Sequence, residues 1–388
     1  MKKVFCIFFL IQLCLAYNGT ENDIHVRYKR AMIVDKIPSY PTLPESIKYY
    51  VQFKEENPIS MHLQFISNRI CLSFSRQKKL VSKKGINFLK SIKKSDIKLP
   101  KKTSGSANIY LRSQDLKNIR LILHYIGLAL GLVPEIQRFD RNRYLKIYWG
   151  NLNPIGLKYY KKKKHKTKHY TSFDFGSIML RSPTYGTIDQ KIAFKTNLYP
   201  YYDLLINKRD RFSHYDFKIL ANAYCKKKCP DREICKNGGY QASNCKECVC
   251  NRFFTGQSCE KILEHDSSIC GSKQYFDASS TKGYLTAKNI KGPCYYWIKP
   301  KKNRNTKIVI KNVHFDGKVS CVDDKGLFIH YRKDKGVTPL CLFKDNENFT
   351  LPLLPNDVYI IFSGLGQNNS FSISYQAVKQ KNKKSVKT

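Results

Sequence analysis

The chain has 388 residues, 42% of them hydrophobic, which is enough for a sizeable core and for more than one folded unit. Seventy Lys and Arg face 29 Asp and Glu, a formal net charge of +41 that directs attention to polyanionic partners. Such a charge ordinarily suggests a nuclear, nucleic-acid-binding protein, but the N-terminal residues argue against that class.

Lys2 and Lys3 precede an apolar run, Val4–Leu15, and Cys14-Leu15-Ala16 places small residues at the −3 and −1 positions of a cleavage site. This predicts a secretory signal peptide over 1–16. The run is too short to span a bilayer, and no later stretch approaches that length, so the expected product is secreted, with no membrane span and no nucleic-acid partner. Of fourteen cysteines, Cys6 and Cys14 leave with the signal. The twelve that remain form an even, dense set, which in a secreted chain reads as disulfides rather than thiolate metal ligands. Asn18, Asn348 and Asn368 head N-glycosylation sequons. Outside the cell, polyanions mean glycosaminoglycans, sulfated mucins or anionic cell surfaces. The alternative is compositional drift, since Ile, Asn and Tyr are abundant as well.

Residues 17–30 end in Arg27-Tyr28-Lys29-Arg30, a basic processing site whose cleavage makes 17–30 a short propeptide and Ala31 the new N-terminus. Ile47–Phe53, with Tyr and Val at sheet-favouring positions, predicts a strand. Pro58–Ser67 predicts a helix, and Asn68–Phe74 a second strand. From Ser113 to Gly131, Leu116, Ile119, Leu123, Ile126 and Leu130 recur at helical spacing. Ser113 or Asp115 is the expected cap and Gly131 the stop. His124 and Leu128 then lie one turn apart on one face.

The stretch from Leu123 to Arg141 resembles the zinc-binding helix and turn of the astacin metalloproteases, a metzincin family with the motif H-E-x-x-H-x-x-G-x-x-H-E. His124 stands at the first histidine, while Tyr125 replaces the general-base Glu, Leu128 the second histidine and Pro134 the third. Gly131 and Glu135 match. Ser172–Arg181 resembles the family's Met-turn segment, with Met179 as its methionine and Arg181 where a ligand tyrosine is expected. Arg138–Tyr144 and Ile147–Leu152 extend the likeness, and Ser213–Tyr224 resembles the domain's last helix. The resemblance implies a two-lobed α+β domain over 31–225, with a Cys71–Cys225 bridge and with Glu135 receiving the Ala31 amine after processing.

Cys229–Cys259 has the spacing C-x5-C-x9-C-x2-C-x-C-x8-C and resembles an EGF-like module over 226–262, which implies the pairs Cys229–Cys245, Cys235–Cys248 and Cys250–Cys259. Such a module depends on its staples. Residues 270–377 resemble an all-β CUB sandwich, implying Cys270–Cys294 and Cys321–Cys341, and a basic tail follows over 378–388. Many CUB domains bind calcium; Asp324 falls at one of those positions, but Gly364 stands where a second Asp is expected.

A catalytic zinc needs about three protein ligands and an open position for water. Here only His124 remains, and Arg181 is a permanent cation. Hydrolysis also needs a carboxylate beside the metal-bound water, and a Tyr125 phenol is protonated at neutral pH. Zinc, expected for the family, is therefore not expected to bind. The chain reads as a catalytically inactive homologue that binds extracellular proteins or glycosaminoglycans. The alternative is an active zinc metalloendopeptidase with an altered site. His165, His169 and His214 are the other candidate ligands. His165 and His169 lie in a basic run, where Lys161, Lys162, Lys163, Lys164, Lys166 and Lys168 read either as a polyanion patch or as a solvated insertion.

Overall fold

The computed structural model describes residues 40, 45–53, 58–163, 172–225, 228–229 and 234–379. The signal peptide, the propeptide, Ala31, Asn18, Lys164, Lys166, Lys168, His165, His169 and the tail beyond Lys379 lie outside them.

The first unit is built on a five-stranded sheet. β1 (Ile47–Val51) alternates buried and exposed residues, as a half-buried strand should. α1 (Pro58–Ser67) starts with proline, whose fixed φ suits the first turn, and buries Ile59, Leu63 and Ile66 at helical spacing. β2 (Phe74–Gln77) begins where the sequence reading ended its second strand; Asn68–Ser73 instead turns back toward the Cys71 bridge. β3 (Gly85–Lys90) has both faces covered over Gly85–Phe88, as befits a central parallel strand. β4 (Asp96–Lys98) and β5 (Ala107–Leu111) complete the order β2-β1-β3-β5-β4, in which only β4, at the edge, runs antiparallel.

α2 (Ile119–Ala129) is shorter than the predicted helix. Ser113–Lys117 forms a separate 3₁₀ turn, and Asn118 caps α2 by accepting from the Leu121 N–H at 3.0 Å. Asp115 is not the cap, because its carboxylate is spent on Arg112 (2.7 Å) and Ser95 (2.5 Å). Gly131 ends the helix at φ +91, a conformation that disfavours any side chain, while the Leu132 N–H reaches the Gly127 carbonyl at 2.8 Å.

The second lobe has few regular elements: β6 (Leu145–Ile147), α3 (Pro154–Tyr159) and β7 (Phe194–Thr196), with β6 and β7 forming an antiparallel ribbon. α4 (His214–Tyr224) follows, opened by a capping box between Ser213 and Asp216. Cys71 bonds Cys225 across 154 residues and ties α4 to the start of the sheet. One apolar core joins the sheet to α1, α2 and α4 and includes Met179.

Next come two small hairpins, β8 (Tyr240–Gln241) with β9 (Cys248–Val249) and β10 (Phe254–Thr255) with β11 (Lys261–Ile262). They are held by Cys229–Cys245, Cys235–Cys248 and Cys250–Cys259. After a short α5 (Ser267–Cys270), the last unit is a two-sheet sandwich. Its strands are β12 (Tyr275–Asp277), β13 (Gly283–Lys288), β14 (Cys294–Lys299), β15 (Arg304–His314), β16 (Gly326–His330), β17 (Leu340–Leu342), β18 (Asn346–Thr350), β19 (Val358–Ser363) and β20 (Ser370–Lys379). One sheet runs β12-β14-β19-β16-β17 and the other β13-β20-β15-β18. Cys270–Cys294 and Cys321–Cys341 staple it, and the sequon residues Asn348 and Asn368 are exposed.

The sandwich is packed against the second lobe, and a continuous core runs from one into the other. Arg332 donates to the Phe173 carbonyl and lies over the Tyr144 ring at 4.7 Å. The Thr338 N–H reaches Asp174 Oδ1 at 2.9 Å, and Lys218 pairs with Asp334 at 2.9 Å. Among the described residues no helix is long and apolar enough to cross a membrane.

Candidate functional site

α2 presents its middle turn to a cleft of about 1010 Å³, bordered on one side by the edge strand β4 and on another by α3. His124, Tyr125, Leu128, Pro134 and Arg181 all line it, so the positions singled out along the sequence converge in space.

Their chemistry does not fit a zinc ion. The His124 ring is 3% exposed, and its Nδ1 lies 3.2 Å from the Ile178 carbonyl. Burial, reinforced by the charge on Arg181, pulls its pKa down to about 3, so the imidazole is neutral. A neutral imidazole can ligate a metal, but Leu128 and Pro134 offer no donor and Arg181 brings a positive charge. Among the described residues, no group of three or more His, Cys, Asp or Glu is placed to hold a metal.

Tyr125 also departs from a base. Its hydroxyl donates to the Ser95 carbonyl at 2.8 Å, and burial raises its pKa, keeping it a phenol. The Arg181 guanidinium lies 5.7 Å from the Tyr125 ring centroid and 4.2 Å from that of Tyr185. An aromatic pair thus carries the cation at the cleft floor. Tyr185 is not among the residues that the sequence points to; its signal there is an aromatic residue four positions beyond Arg181.

The rim is strongly basic. Lys94 is paired with Asp96 at 2.9 Å and Arg112 with Asp115 at 2.7 Å. Lys158, Lys163 and Arg181 also line the cleft and make no salt bridge with the described carboxylates. Lys163 is thereby part of the cleft, whereas Lys161 and Lys162 line a different groove.

Behind the cleft lies a buried acidic cluster. Glu135, 1% exposed, accepts from the Asp174 N–H at 3.2 Å and stands 3.7 Å from Arg138 Nε. Arg138 gives its short, two-pronged contact to Asp140, at 2.8 and 2.9 Å. Burial therefore outweighs the Arg138 charge and pushes the Glu135 pKa up to about 8. Asp216 accepts from Ser177 Oγ (2.6 Å), the Ile178 N–H (3.0 Å) and the Ser213 N–H (2.9 Å), clamping the Met179 segment to the start of α4. Met179 itself is buried, and its carbonyl accepts from the Glu135 N–H at 3.2 Å.

The remaining candidates lie elsewhere. His214 is turned to the Gly238 carbonyl at 3.1 Å, away from His124, and burial holds its pKa down to about 4. Asp324 is not placed as a calcium ligand. It sits in the left-handed region at φ 63, with Arg209 at 3.3 Å, Arg211 at 4.0 Å and Arg252 against its carboxylate. Three guanidiniums around one carboxylate already supply the positive charge that a cation would bring.

Residues 40–225 match the family model Astacin, which describes a peptidase family. Zinc metalloproteinase nas-36 of Brugia malayi is 28% identical over 268 residues, 66% of this chain and 45% of that protein. Zinc metalloproteinase dpy-31 of Caenorhabditis elegans is 27% identical over 233 residues, 59% of this chain and 39% of that protein. The chain thus spans less than half the length of these two relatives. Among solved structures, high choriolytic enzyme 1, a hatching enzyme zinc-protease of Oryzias latipes, is similar at 19% identity and TM-score 0.42, over 50% of this chain and 99% of that one. The CUB1-EGF-CUB2 domain of human MASP-1/3 is similar at 16% identity and TM-score 0.22, over 40% of this chain and 56% of that one.

Proposed function

Residues 40–225 being an astacin-family domain, we propose that this chain is a secreted, non-hydrolytic member that binds extended, acidic segments of extracellular proteins in its cleft. The observation that carries the reading is Arg181, stacked on Tyr185 at the floor, where the resemblance placed a ligand tyrosine. With Leu128, Pro134 and Tyr125 around it, the floor has lost its metal donors and its base but gained a fixed cation. Lys158 and Lys163 add charge of the same sign.

The family frame accounts for the rest. β4 is an edge strand whose Asp96 and Ile97 line the cleft, so its unpaired backbone groups can take an extended peptide as a further strand. An acidic side chain or a C-terminal carboxylate then meets Arg181, a planar donor whose fork matches a carboxylate. The six disulfides favour an oxidising, extracellular setting.

Metal content and peptidase assays on the processed protein, with titration by a fluorescent acidic peptide, test this reading. The expected outcome is substoichiometric zinc and no chelator-sensitive cleavage. Peptide affinity should fall about ten- to hundred-fold in Arg181→Gln, the loss of one charged hydrogen-bonding partner. One zinc per chain together with cleavage that a chelator abolishes defeats the proposal. So does an Arg181→Gln variant that binds the peptide as well as the parent.

A further inference from the structure

The cleft leaves a second concentration of positive charge without a role. A separate groove of about 620 Å³, sharing no lining residue with the cleft, is bordered by Arg141, Lys146, Trp149, Lys161, Lys162 and Asn197, and no described carboxylate lines it. Three independent features of this groove ask for an anion.

The first is Arg141. Its side chain is 2% exposed and donates to the carbonyls of Ile136 and Tyr160, yet among the described residues its Nε has no hydrogen-bond partner and no carboxylate forms an ion pair with it. A buried guanidinium without a counter-ion is costly unless an anion arrives to share its charge. Burial draws its pKa down only to about 10, so it remains a cation at neutral pH. The second feature is the β6–β7 ribbon, where Lys146 and Lys195 are direct cross-strand partners. Like charges directly opposite each other destabilise a strand pair, and a bridging anion removes that cost. Two carboxylates stand nearby and offset this charge only in part: Asp140, held by Arg138, also acts on Lys162, and Asp203, held by the Thr196 backbone and hydroxyl, also acts on Lys195. The third feature is Trp149, a large aromatic residue left 47% exposed beside these cations, with the Arg141 guanidinium 5.6 Å from its ring. Tyr199, 52% exposed, has Lys195 at 4.3 Å from its ring.

We propose that this groove binds a sulfated polysaccharide, with Arg141, Lys146, Lys161 and Lys162 holding sulfate groups and Trp149 stacking on a pyranose ring. The pairing of flat aromatic surface with clustered donors selects a sugar over a simple inorganic anion. A sulfate offers several acceptor oxygens to lysine and arginine donors, and the C–H face of a sugar ring covers the exposed indole. The site is independent of the cleft and does not require the peptide-binding reading.

A heparin-derived hexasaccharide, titrated calorimetrically into the full processed chain at 0.15 M salt, is the test. The triple variant K146A/K161A/K162A is expected to bind about 30-fold more weakly, roughly threefold for each exposed ion pair removed. Trp149→Ala is expected to weaken binding while leaving its salt dependence unchanged, since stacking involves no counterion release. A charge-matched control, K78A/K79A/K83A on the first lobe, removes the same three exposed charges and is expected to change affinity less than twofold. Arg181→Gln is expected to have no effect. Equal losses in the control and groove variants would reduce the binding to the diffuse field of a chain with net charge +41 and overturn the proposal. A fully desulfated hexasaccharide that binds as tightly as the sulfated one, or a sulfotyrosine peptide that binds more tightly, overturns it as well.

Discussion

Glutamine at position 135 is expected to make the protein more stable, with a gain that depends on pH in a definite way. Glu135 is 1% exposed, accepts one backbone N–H, and lies 3.7 Å from Arg138 Nε, which also contacts Asp140 at 2.8 Å. Its pKa is raised from 4.5 to about 8, chiefly because burial penalises the carboxylate. The native state therefore holds a proton that the unfolded chain releases above pH 4.5. The Glu135 contribution to native stability is full below that pH, falls as the pH rises toward 8, and only then levels off. A neutral isostere therefore gains little over Glu135 near pH 5 and on the order of a few kcal/mol as the pH approaches 8. Glutamine keeps the acceptor for the Asp174 N–H and adds no volume. Urea midpoints of parent and E135Q at pH 5, 7 and 8.5, read by tryptophan fluorescence, measure the trend. A variant less stable than the parent at pH 7 would refute it. It would mean that Glu135 is ionised in the fold and held by a cation, either Arg138 or the amine of the processed N-terminus.

Two further variants, one double and one single, probe the frame around the sites. Replacing Cys71 and Cys225 with serine releases a crosslink spanning 154 residues, worth about 5 kcal/mol by chain entropy, and should lower the melting temperature of the first unit by roughly 10–20 °C. A drop under about 3 °C in a scan would show that packing of α4, not the bridge, holds the lobes together. Gly238 has φ +78, and a Cβ there would lie 1.8 Å from the Gly336 nitrogen. Gly238→Ala should therefore loosen the small disulfide-rich unit from the sandwich and raise hydrogen exchange at Gly336 about tenfold. Unchanged exchange would mean the contact is dispensable.

Much of the candidate site was legible in the order of residues because it concerns side-chain type. A leucine and a proline cannot ligate zinc in any fold, and a tyrosine is a poor base at neutral pH wherever it sits. Local elements with strong signals were legible as well. Pro58–Ser67 is a helix with the bounds expected of it, and the helix that the family resemblance implied over Ser213–Tyr224 forms over His214–Tyr224 with Ser213 as its cap. Boundaries set by competition were not. Asp115 looked like a helix cap and went instead to Arg112 and Ser95, leaving Asn118 to start α2.

By itself, then, the sequence set which side chains stand where the family resemblance implies zinc ligands and a base: Tyr125, Leu128, Pro134 and Arg181. Only the tertiary structure decided what those side chains contact. It stacked Arg181 on Tyr185 and turned Tyr125 to Ser95. It surrounded Asp324 with three arginines, and it brought Arg141, Trp149, Lys161 and Asn197 to one groove from separate segments. Those outcomes depend on desolvation and on which charges become neighbours. Both quantities belong to the folded arrangement, and the spacing of residues along the chain does not encode them.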